Sequence, residues 1–131
     1  MTHRFFQKRR LFGFAIVWTI LILVLLSIPS SSIPSSSVFE YDKLAHAGLF
    51  LILTLLWLFA LANGQLIRAL TLVGLIVVFS FGTEWYQELL PFDRTAELLD
   101  AVADTAGALL GFAVWSLRMA FTTDVNAGDT D

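Results

Sequence analysis

Four apolar runs dominate this chain: Leu11 to Ile28, Leu44 to Ala62, Leu66 to Phe81, and about Ala101 to Phe121. A helix needs about 20 residues, at about 1.5 Å each, to cross a hydrocarbon core of about 30 Å. Each run is close to that length, so the economical reading is four transmembrane helices. The third run is the shortest and contains Arg68, which sits near enough to a helix end to snorkel to the headgroups. With 57% hydrophobic and only 15% charged residues in 131, the chain is too apolar to clothe a soluble domain. The expected fold class is an all-α integral membrane protein. There is no cysteine, which excludes disulfides, thiolate metal sites and cysteine nucleophiles.

The flanks set the topology. MTHRFFQKRR, residues 1–10, is a basic arm. The apolar run behind it is long for a secretory h-region, and SIPSSSIPSS offers no A-x-A cleavage site, so the run reads as a retained span. The Ser/Pro tract from Ser27 to Ser37 reads as a linker, because proline ends a helix and serine competes for its backbone. The four-span domain then covers 11–121, and the acidic tail 122–131, containing TTDVNAGDTD, reads as disordered.

With four spans, Arg4, Lys8, Arg9, Arg10, Arg68 and Arg118 fall on one side and only Lys43 and Arg94 on the other. The positive-inside rule therefore places both termini in the cytoplasm. Acidic residues are distributed the opposite way: Glu40, Asp42, Glu84, Glu88, Asp93, Glu97, Asp100 and Asp104 fall at or near the outer boundary. The net charge of −3 is thus split across the membrane. Topology and anionic lipid account for the basic arm, and no nucleic-acid partner is expected.

The polar stretch TEWYQELLPFDR, Thr83 to Arg94, falls at that outer edge as the turn between spans three and four. Helical spacing places Ser80, Glu84, Gln87 and Glu88 on one face of the third span, and Asp42, Lys43 and His46 together at the start of the second. Glu84 and Gln87 are expected to point toward His46 and the acids of the fourth span. Pro91 ends or kinks the third helix, and Asp93 is a natural N-cap for a fourth helix from about Thr95 to Met119. On that helix Asp100, Asp104, Gly107 and Gly111 share one stripe, within an arc of about 60°. GALLG is a GxxxG pattern, whose bare glycines admit a second helix backbone. That helix belongs either to the same subunit or to a second copy in a homo-oligomer. Trp85, Tyr86, Tyr41 and Trp115 read as interfacial belt anchors. Packing and backbone hydrogen bonding account for Trp18, Thr19 and Thr54.

These residues resemble the VanZ-like family of small bacterial membrane proteins. The resemblance rests on DKLAHAGLF, then on Gly82, Glu84 and Gln87 as G-x-E-x-x-Q, then on Arg94, Asp100, Gly107 and Gly111 in that order. It covers about Asp42 to Gly111. Where the family commonly carries asparagine, this chain has Asp104, which adds a charge. The resemblance implies an all-helical, multi-pass protein of the bacterial cytoplasmic (inner) membrane, in a family named for a member tied to teicoplanin susceptibility.

The expected function follows from the side chains. His46, Glu84 and Asp104 are the candidate catalytic groups, since a histidine beside a carboxylate serves as a general base. Asp42, Lys43, Gln87, Arg94 and Asp100 are the candidate ligand-binding groups, with the two cations suited to phosphate. An outward-facing polar pocket for a membrane lipid or a lipid-linked envelope precursor is the leading expectation. The competitor is a structural ion-pair network that pins helix ends or serves a partner protein. No cofactor is expected. Three ligands drawn from three helices, with no sequence-local pair such as HxxxH, argue against a metal site at His46, Glu84 and Asp104.

Overall fold

The structure is a computed structural model that describes residues 2–28, 38–90 and 97–128, with side chains over 6–28, 41–90 and 97–122. Every regular element among them is helical. Helix α1 spans Thr2–Leu26, α2 spans Val38–Trp57 and continues through a π-helical turn at Leu58–Ala62, α3 spans Leu66–Glu88, and α4 spans Leu98–Gly128. Within these, Phe6–Leu26, Tyr41–Ala62, Leu66–Glu88 and Leu98–Thr122 are long and apolar enough to cross a membrane. At about 1.5 Å per residue they measure about 32 to 38 Å, sufficient for a core of about 30 Å.

The third helix runs past the apolar stretch ending at Phe81 to Glu88, because TEWYQE contains no helix breaker, and Glu84 and Gln87 project from its flank. Other helix boundaries depart from the sequence expectation in three places. The fourth helix begins at Leu98, later than Thr95, and runs through Gly128, so most of the tail expected to be irregular is helical. The basic arm is likewise the first part of α1. Asp93, Arg94, Pro91 and most of the Ser/Pro tract lie outside the described residues.

A tight hairpin joins α2 to α3. Asn63 and Gly64 take left-handed conformations, φ 52° and 74°, and the Gln65 N–H donates to the Ala62 carbonyl at 2.9 Å. Asparagine and glycine are the residues that tolerate this region, which is why ANGQ can reverse the chain so abruptly. The Lys8 ammonium donates to Asn63 Oδ1, and the Arg118 guanidinium lies 5.0 Å above the Phe59 ring. These contacts gather the N-terminal end of α1, the hairpin and the later part of α4 at one end of an up-and-down bundle. At the opposite end the Ser27 and Tyr86 hydroxyls meet at 3.1 Å.

Helix α2 packs most closely on α4, and glycine is the reason. A Cβ on Gly107 would overlap the Ala47 carbonyl, and one on Gly111 would lie 2.9 Å from both Leu51 O and Thr54 Cβ. The space over both glycines is filled by α2 of the same chain, so a homo-oligomer would have to use another face. Ile22, Leu26, Phe50, Leu53, Ile76 and Ala108 form one core cluster, while Leu58, Ala62, Ala69, Val73 and Trp115 form a second. Trp115 is buried there and is not a belt anchor; Trp85 and Tyr41 remain exposed. Val17, Ile20, Val24, Leu75, Val78, Leu109 and Leu117 face outward, the apolar exterior that lipid would cover.

Candidate functional site

Three helices deliver polar side chains to one level of the bundle. His46 lies five residues into the α2 span, Glu84 four residues from the end of the α3 span, and Asp104 six residues into the α4 span. At about 1.5 Å per residue these depths are about 6 to 9 Å. The antiparallel order of α3 against α2 and α4 makes the three depths coincide. Close approach of α2 to α4 at Gly107, one turn below Asp104, then holds His46 against that carboxylate.

Two layers can be distinguished. In the outer layer the Lys43 ammonium donates to Glu97 Oε2 at 2.6 Å and to Asp100 Oδ1, and it lies 3.9 Å from Asp42 Oδ2. Lys43, Asp42 and Glu97 are partly exposed and form a polar collar that ties α2 to the start of α4. The inner layer is enclosed: His46 is 3%, Glu84 6% and Asp104 0% exposed. His46 Nδ1 lies 2.9 Å from Asp104 Oδ1, and His46 Nε2 lies 3.9 Å from Asp100 Oδ2. Glu84 Oε2 accepts the Glu97 backbone N–H at 3.1 Å, an orphan donor ahead of α4.

One oxygen of each inner carboxylate is left over. Glu84 Oε1 and Asp104 Oδ2 are buried and have no hydrogen-bond partner among the described residues. Most buried polar groups find such partners, because an unsatisfied one costs about 1 to 3 kcal/mol and a charged one more. The two acids and His46 present ligand-type atoms that all lie within 4.8 Å of one another. The arrangement can therefore exchange a proton between imidazole and carboxylate, accept hydrogen bonds from an incoming group, or surround a cation.

The expected site residues separate into groups. His46, Glu84, Asp104, Asp100, Lys43 and Asp42 come together. Gln87 does not join them: its amide donates to the Leu26 carbonyl at 3.3 Å and so closes the C-terminal end of α1. Glu88 is exposed, and Thr83 takes the place expected for it on the buried face with Ser80 and Glu84. Arg94 lies outside the described residues. Thr54 is buried, but its hydroxyl has no partner among the described residues, so packing against Gly111 is what it supplies.

Glu97 is the member the sequence did not single out. It pairs with Lys43 through its carboxylate and with Glu84 through its backbone. Its position three residues before Asp100 was the available signal, since that spacing lets one lysine reach both acids.

No family model matches the chain, and neither the curated proteins nor the solved structures contain a match to it.

Proposed function

We propose that this chain is a VanZ-like membrane protein that binds the polar head of a lipid or lipid-linked envelope molecule and carries the groups for acid–base chemistry on it. Both termini face the bacterial cytoplasm in this reading, and the collar of Asp42, Lys43 and Glu97 faces outward. The basic end of the bundle, with Lys8, Arg68 and Arg118, supports that orientation through the positive-inside rule.

The observation that carries the reading is the pair of unpartnered oxygens, Glu84 Oε1 and Asp104 Oδ2, beside His46. A purely structural network is expected to satisfy its buried carboxylates, as the outer layer does with Lys43. The inner layer keeps acceptor capacity in reserve, which is what a recognition site requires. The depth supports an amphiphilic ligand: a head reaching about 6 to 9 Å inside the helix ends keeps its tail among acyl chains. The collar supplies a charged approach, with the Lys43 ammonium suited to a phosphate at the price of loosening Glu97 or Asp100. His46, oriented by Asp104, is the group placed to take or return a proton.

Native mass spectrometry tests this on the full chain. Wild type, Glu84→Gln and His46→Ala are compared for the envelope lipids that each retains after purification in mild detergent. A defined lipid held by wild type and lost from both folded variants is the expected result. If wild type carries no specific lipid and gains no thermal stability from added envelope lipids, the reading fails, and the cluster is a structural network.

A further inference from the structure

We infer that His46, Glu84 and Asp104 together bind one divalent first-row metal ion of the zinc or manganese type. The inference concerns the same site as the proposed lipid reading and shares its two unpartnered oxygens, but it requires no lipid.

The donor set fits such an ion chemically. An imidazole with two carboxylates offers borderline and hard ligands, a mixture suited to zinc or manganese. Three protein ligands would leave a coordination position open, as in sites where a metal meets water or substrate. Charge favours the ion as well. Glu84 and Asp104 carry two negative charges when ionised, and among the described residues the ammonium of Lys43 is committed to Asp100, Glu97 and Asp42. A dication between Glu84 and Asp104 neutralises both in a setting where an isolated buried charge is costly.

The absence of a sequence-local ligand pair speaks against a metal here, and the fold answers it by bringing the three helices' side chains together. The three residues offer ligand atoms within 4.8 Å of one another, and Glu84 Oε1 and Asp104 Oδ2 are buried without partners. The 2.9 Å between His46 Nδ1 and Asp104 Oδ1 is a hydrogen bond without metal. It is also close to the edge of about 3 to 3.5 Å between neighbouring ligands whose bonds are about 2.0 to 2.2 Å long. With Nδ1 on the metal, Nε2 carries the ring proton on the side of Asp100 Oδ2, 3.9 Å away. Lys43 fixes that carboxylate in turn. A shortening of that gap on metal binding would complete the carboxylate–histidine–metal relay that orients ligating imidazoles elsewhere. It gives Asp100 and Lys43 a positioning role.

A second set, Asp42, His46 and Asp100, also brings ligand atoms within 4.8 Å. There the Lys43 ammonium already bonds Asp100 and approaches Asp42, so a cation is in place.

The test titrates chelator-treated, delipidated full-length protein in detergent with Zn2+ and separately with Mn2+, read by calorimetry, by metal content after desalting and by thermal unfolding. Wild type is expected to bind a single ion and to unfold at higher temperature with it. Glu84→Gln and Asp104→Asn should each weaken binding by at least about tenfold, Asp100→Asn by less, and Glu88→Gln, at the exposed end of α3, should leave it unchanged. For Mn2+, the bound ion's spin-resonance spectrum should show coupling to a histidine nitrogen that disappears in His46→Ala. Failure of wild type to bind either ion saturably at millimolar concentration overturns the inference, whatever the folding of the variants. Binding that survives both Glu84→Gln and Asp104→Asn, or that is lost in Glu88→Gln, overturns it too. Lipid retention is read separately, so loss of the metal reading and loss of the lipid reading give different results.

Discussion

His46 Nδ1 and Asp104 Oδ1 meet at 2.9 Å across the interface of α2 and α4, although 58 residues separate them in sequence. Both side chains are buried, and the approach exists because Gly107 lets the two helix backbones touch one turn below. Removing one partner leaves the other stranded. Asp104→Leu should therefore destabilise the bundle by about 1 to 3 kcal/mol, the cost of leaving a buried polar group unsatisfied. Asp104→Asn keeps an acceptor for His46 and should cost about 1 kcal/mol, the net worth of an ordinary hydrogen bond. Reversible unfolding in mixed detergent micelles measures the difference; equal losses would show that an amide acceptor at this position does not hold His46.

Glycine positions give a contrast that packing alone should produce. Gly107→Ala places a methyl group into the Ala47 carbonyl and should cost at least about 1 to 3 kcal/mol, because a backbone cannot step aside as a side chain can. Gly48→Ala and Gly82→Ala meet nothing within 4 Å and should be neutral or slightly stabilising. Thermal unfolding of the three variants in one detergent checks the order.

Lys43 holds two carboxylates of different exposure. The Asp100 side chain is 9% exposed and the Glu97 side chain 42%. A double-mutant cycle of Lys43→Met with Asp100→Asn should give a coupling of about 1 to 3 kcal/mol, while the cycle with Glu97→Gln should stay below about 1 kcal/mol because water screens that pair. Similar couplings would contradict the screening difference between the two pairs.

Gln87 separates from the site by its partner. Gln87→Ala removes the hydrogen bond to the Leu26 carbonyl and should cost about 1 kcal/mol. It should leave metal affinity and lipid retention unchanged. A loss of either, with stability unaltered, would return Gln87 to the ligand-binding set.

Orientation can be read by thiol labelling, since the chain has no cysteine. Glu88→Cys, at the exposed end of α3, should react with an impermeant maleimide added outside intact cells. Asn63→Cys, in the exposed α2–α3 hairpin, should react only after the membrane is opened. The reverse pattern would place both termini outside.

The number of helices was legible without coordinates, because four apolar runs of near-spanning length admit few other solutions. Helical period also put Asp100, Asp104, Gly107 and Gly111 on one buried stripe, and all four are buried. Periodicity is a local property, so sequence alone could determine these things. It could not determine how deep each helix sits beside its neighbour. That Glu84 from α3 reaches the level of His46 and Asp104, that Gln87 turns instead to α1, and that Glu97 links Lys43 to Glu84 depend on relative rotation and offset of packed helices. Those were decided by tertiary contacts, above all by the Ala47 and Leu51 carbonyls settling onto Gly107 and Gly111.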